Sequence, residues 1–170
     1  MASLMENLLD VLEREHKEYE KLFQLGQRKR QILIDADVEE LEVLTEREQD
    51  VSSTLRNLEN KREQIMDDMS VVLNRKKEEM TLGKMIEILD KQPEQQSRLT
   101  EIRTKLGATL KEVSAINEQN RVLTQQALEL VEYDLNLFRS FRQAPETANY
   151  NRNAYNTGDL LGSSGFDTKQ

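Results

Sequence analysis

The chain of 170 residues has no cysteine, no tryptophan, one histidine, two prolines and six glycines. Without cysteine there is no disulfide framework and no thiolate to hold a metal or attack a carbonyl. A single histidine leaves little for acid–base work near neutral pH. The dispersed glycines open no strand-to-helix turn, so no phosphate-cradling loop is read. No apolar run approaches the length of a bilayer span, which argues against membrane insertion. The first residues, Met1-Ala2-Ser3-Leu4-Met5-Glu6, carry neither the basic region nor the apolar core of an export signal. A cytoplasmic location is therefore expected. The net charge of −8 argues against nucleic acid and against anionic lipid surfaces. The basic triplets Arg28-Lys29-Arg30 and Arg75-Lys76-Lys77 read as solvated helix faces.

What the chain does have is apolar residues at alternating spacings of three and four, the mark of a helix seam. The first seam runs Met5, Leu9, Leu12, His16, Tyr19, Phe23, Gly26, Arg30, Leu33, and Ser3 with Glu6 reads as its capping box. Asp37 with Glu40 opens a second helix, whose seam is Leu41, Leu44, Glu48, Val51, Leu55, Leu58, Arg62, Ile65, Met69, Val72. The few residues between the two require them to fold back antiparallel. Thr81 caps a short helix carrying Met85, Ile86 and Leu89, and Pro93 suits the first turn of another. The last seam runs Leu99, Ile102, Leu106, Thr109, Val113, Ile116, Asn120, Leu123, Ala127, Leu130, Asp134, Leu137, Phe141, ending at Ala144-Pro145. The fold expected is all-α: an elongated antiparallel bundle or coiled coil of three long helices and one short connecting helix, over residues 1–142. Residues 143–170, rich in Asn, Gly and Ser, read as a disordered polar tail punctuated by Tyr150, Tyr155, Leu160, Leu161 and Phe166.

At about 1.5 Å per residue the last helix is the longest, and aligning it antiparallel to the second sets Arg62 near Thr109 and Glu48 near Asn120. On that alignment Asp134 falls near the turn between the first two helices, and the turns beyond it outrun their neighbours. Leu128, Leu130, Val131, Leu135, Leu137, Phe138 and Phe141 occupy a wider arc than a two-residue seam requires. Two readings stand. The helix bends back or the tail covers it, or the segment docks an amphipathic helix of another protein.

Chemistry has little support. Glu13-x-x-His16 has the spacing of a di-iron carboxylate motif, but such a site needs two such motifs, and with one histidine in the chain only a symmetric dimer supplies the second. Glu48, Arg62, Asn120 and Asp134 break the seams and read as polar layers that fix register. The methionines Met66, Met69, Met80 and Met85 read as core filler. No catalytic residue, metal ligand or cofactor is assigned, and no enzyme is expected.

Several stretches resemble the FlgN-type flagellar type III export chaperones. Arg28-Lys29-Arg30-Gln31-Ile32-Leu33-Ile34-Asp35-Ala36-Asp37-Val38-Glu39-Glu40-Leu41 is similar to that family's basic stretch, aliphatic step, Asp turn and acidic helix start. Glu46-Arg47-Glu48-Gln49, Leu58-Glu59-Asn60-Lys61-Arg62, Thr81-Leu82-Gly83-Lys84-Met85-Ile86 and Asn117-Glu118-Gln119-Asn120-Arg121-Val122-Leu123 come in the family's order and spacing. The resemblance implies a chaperone that binds the hook-filament junction proteins FlgK and FlgL and brings them to the export gate and its ATPase complex. It also implies that the C-terminal part recognises cargo. Partner binding is accordingly expected at Leu130, Val131, Leu135, Leu137, Phe138, Phe141, Tyr150 and Tyr155. The alternative is a structural coiled-coil adaptor that closes a homodimer.

Overall fold

A computed structural model describes residues 2–143 of the chain. The described residues form four α-helices: α1 (Ala2–Asp35), α2 (Val38–Leu73), α3 (Leu82–Ile88) and α4 (Pro93–Gln143), with single 3-10 turns at Lys77–Glu79 and Leu89–Lys91. The three long helices have 34, 36 and 51 residues. The chain divides into two compact units within α4, Met1–Gln125 and Gln126–Gln170.

Local chemistry sets the helix ends. The Asp37 side chain accepts from the Glu40 backbone N–H at 3.0 Å, and that of Thr81 from the Lys84 N–H at 3.3 Å. Each satisfies one of the donors a helix N-terminus leaves open. Pro93 opens α4 after Gln92, whose φ of −130° and ψ of 71° are not helical. α1 ends through Ala36 at φ 54°, with Asp37 N–H bonded to the Ile32 carbonyl at 3.2 Å. α2 ends through Asn74 at φ 51°, with Arg75 N–H on the Ser70 carbonyl at 3.0 Å. Both are left-handed caps of the kind that satisfies the last carbonyls. Ser3 lies inside α1, so the expected capping box there is not formed.

In the first unit α1 and α2 are antiparallel: Lys29 pairs with Glu48 near their turn at 2.8 Å, and Glu15 with Arg62 further along at 3.4 Å. α1 and α4 run parallel, since Glu6 meets Arg98, His16 meets Thr109 and Gly26 meets Asn120. The main core is concentrated where α1 begins. Met5, Leu8, Leu9, Val11 and Leu12 pack there with Ile65 and Met69 of α2, with Met80, Met85 and Leu89, and with Leu99, Ile102 and Leu106 of α4. The short helix α3 lies over this end, so α1 is covered on more than one side. That is why Leu8, Val11 and Glu15 are buried although they lie off the expected seam.

Two seam positions are corrected. Arg30 is exposed, while Ile32 is buried and Lys29 pairs with Glu48, because the last turns of α1 face the returning α2. Val72 is exposed: the segment carrying Met80 and Met85 draws the buried arc of α2 toward Met66, Met69 and Leu73. Of the expected tail, Gln143 is still helical, and residues 144–170 lie outside the described residues. Among the described residues no helix is long and apolar enough to cross a membrane.

Candidate partner-binding face

The four polar residues that interrupt the seams have different surroundings. Glu48 takes the Lys29 ammonium, and Arg62 reaches the carboxylate of Glu15. Asn120, 4% exposed, donates its amide to the Gly26 carbonyl at 2.8 Å. A Cβ on Gly26 would lie 2.8 Å from Cγ2 of Ile116, so the missing side chain is what lets α4 come close enough for this bond. Asp134, by contrast, forms no hydrogen bond or ion pair with any described residue.

Glu15 is 1% exposed, and one of its carboxylate oxygens has no partner among the described residues. Burial pushes its carboxyl above the usual carboxylate range; Arg62 opposes the shift and Glu59 adds to it. The nearby Tyr19 hydroxyl is also raised, first by burial and then by Glu59, which accepts its hydrogen bond at 3.3 Å. This cluster joins α1 to α2 and has no nucleophile beside it. His16 faces Thr109 at 3.1 Å, with Glu20 at 3.8 Å. Among the described residues no group of His, Asp and Glu is arranged to hold a metal.

The apolar surface lies in the second unit, where α4 continues from Gln126 to Gln143. Leu128, Leu130, Val131, Tyr133, Leu135, Leu137, Phe138 and Phe141 are all exposed, the two phenylalanines at 69% and 70%. With successive side chains about 100° apart, these residues cover an arc of about 220°. The polar residues Glu129, Glu132, Asn136, Arg139 and Ser140 fill the remainder. One partner helix covers only part of such an arc, so the segment carries more apolar surface than a simple pair of helices needs.

All six described residues expected to bind a partner, Leu130, Val131, Leu135, Leu137, Phe138 and Phe141, are thus accessible on one helix. Tyr150 and Tyr155 lie outside the described residues. Tyr133 escapes seam counting: it sits at the edge of the arc, and its hydroxyl makes it read as polar. Glu15 and Gly26 escape it as structural partners. A carboxylate in an acidic helix and a lone glycine give no signal of burial by themselves.

No curated protein and no solved structure matches this chain. Its sequence does match a family model, that of the FlgN protein, over residues 1–158. The match takes in all of α1 to α4 and so covers both the bundle and the apolar segment. Covering well over half of the chain, that match places it in the FlgN family of flagellar chaperones, whose members are not enzymes.

Proposed function

We propose that this chaperone holds the amphipathic terminal helix of a hook-filament junction protein, FlgK- or FlgL-like, in the cytoplasm and delivers it to the flagellar export gate and its ATPase complex. The cargo helix lies on Leu130, Val131, Leu135, Leu137, Phe138 and Phe141, with Tyr150 and Tyr155 as further contacts. The observation that carries this reading is the run of exposed large apolar side chains on the second unit's helix. Soluble proteins seldom leave such a face to water unless something binds it. Fully burying a phenylalanine side chain contributes about 1.5–3 kcal/mol before ordering costs. No nucleotide is needed, because release and unfolding fall to the export machinery.

The test replaces Phe138 and Phe141 together with Ser. The variant keeps its helical circular dichroism, since neither ring belongs to the packed core, and binds purified junction protein at least about 100-fold more weakly. Unchanged affinity in a helical variant would remove the site. A wild-type chain that binds neither junction protein would remove the cargo assignment.

A further inference from the structure

The apolar face of the second unit contains one charge. Between Leu128 and Phe141, Asp134 is the only charged residue inside the apolar arc. Its neighbours three and four positions away are Leu130, Val131, Leu137 and Phe138, all apolar and all exposed. These are the positions from which a helix normally supplies a cation to a carboxylate. Two other exposed acids of α4 do have them: Glu101 pairs with Lys105 at 2.6 Å and Glu118 with Arg121 at 2.7 Å. Asp134 is paired with no described residue.

In the free chain this carboxylate is hydrated. A partner that covers Phe138 and Leu130 must strip that water away. Burying an unpaired carboxylate is strongly unfavourable, whereas a cation placed opposite it compensates. We infer that Asp134 selects the occupant of this face: an amphipathic helix of another protein whose apolar side carries one lysine or arginine near its middle. This rests on the reading that the face takes a helix, and it names which helices are accepted and which refused. A uniformly apolar helix is rejected by the unpaired charge, and an acidic one by repulsion.

The same residue disfavours a second copy of the chain as occupant. Asp134 is the midpoint of the span Ala127–Phe141. An antiparallel pair overlapping over the whole span sets Asp134 against Asp134 of the other copy, and so does a parallel pair in register. Like charges facing each other across a dehydrated seam are destabilising.

The test uses the full chain and three synthetic amphipathic peptides of about 18 residues, long enough to span the face. They differ only at the centre of the apolar side, which carries Lys, Leu or Glu. Fluorescence anisotropy is expected to show the Lys peptide binding at least about tenfold more tightly than the Leu peptide, with the Glu peptide weakest. In Asp134→Leu the order of the Lys and Leu peptides inverts. Light scattering is expected to find Asp134→Leu more self-associated than wild type. Wild type binding the Leu peptide as well as the Lys peptide, or binding none of the three, overturns the inference. So does a wild-type dimer that Phe138→Ser with Phe141→Ser dissolves. Failure of junction proteins to bind while the peptide order holds removes the cargo assignment alone.

Discussion

The amide of Asn120 donates to the carbonyl of Gly26 at 2.8 Å where α1 and α4 come close together, beside the side chain of Ile116. A glycine inside a helix usually costs about 0.5–1 kcal/mol relative to alanine. Here the sign reverses. A methyl on Gly26 meets Cγ2 of Ile116 at 2.8 Å, and a β-branched side chain in a helix has little freedom to turn away. Gly26→Ala is expected to destabilise by about 1–3 kcal/mol in urea denaturation. A methyl on Gly107, in α4, would meet no neighbouring group within 4 Å, so Gly107→Ala is expected to stabilise by about 0.5–1 kcal/mol. Equal effects at the two glycines would show that the close approach is absent.

Ala36 ends α1 in a left-handed conformation at φ 54°. An L residue with a Cβ is strained there by about 1–2 kcal/mol. Ala36→Gly relieves that strain but gives the unfolded chain more freedom, so a net gain of about 0.5–1 kcal/mol is expected. Asn74, at φ 51°, already belongs to a residue type that tolerates this region, and Asn74→Gly should change stability less. Thermal denaturation of the two variants side by side checks the ranking.

Glu15 makes stability depend on pH. Its carboxyl titrates above the usual range in the folded state, chiefly because it is buried. A raised folded-state value means that its favourable contribution is complete below the ordinary carboxylate range and is lost as pH rises through the folded-state value. Glu15→Gln removes that loss. Arg62, left behind, is about one-third exposed and keeps water. The variant is expected to be more stable than wild type at about pH 8 by about 1 kcal/mol and to lose that advantage toward about pH 4. Parallel denaturation curves across this range test it; a wild type that gains its advantage as pH rises would contradict the burial effect.

Much of the fold was legible because it is written in local chemistry. Asp37 and Thr81 cap the helices they were expected to cap, and Pro93 starts α4. The α4 seam from Leu99 through Ile102, Leu106, Thr109, Val113 and Ile116 to Asn120 is buried at every position. That helix segment meets its neighbours along one stripe, so one period describes it. α1 meets α2 on one side, α4 on another and the α3 segment at its start, so a single stripe overlooks Leu8, Val11 and Glu15 and sets Arg30 too deep. The apolar residues of the candidate face could be picked out because they exceed what one seam can use. The meaning of Asp134 needed its surroundings, since a polar seam residue is equally compatible with a paired layer such as that of Arg62 and Glu15.

The lopsided core of the first unit implies a gradient of local stability. Oily contacts are thickest where Met5 to Leu12 meet Met85 and Leu99, whereas toward Asp35 and Val38 the helices are joined by Lys29–Glu48 and Arg28–Glu40 ion pairs and by few fully buried side chains. Backbone amides should therefore swap protons for deuterons slowest near Leu9 and Leu99 and progressively faster toward the Ala36 corner, so that thermal breathing begins at the hairpin tip.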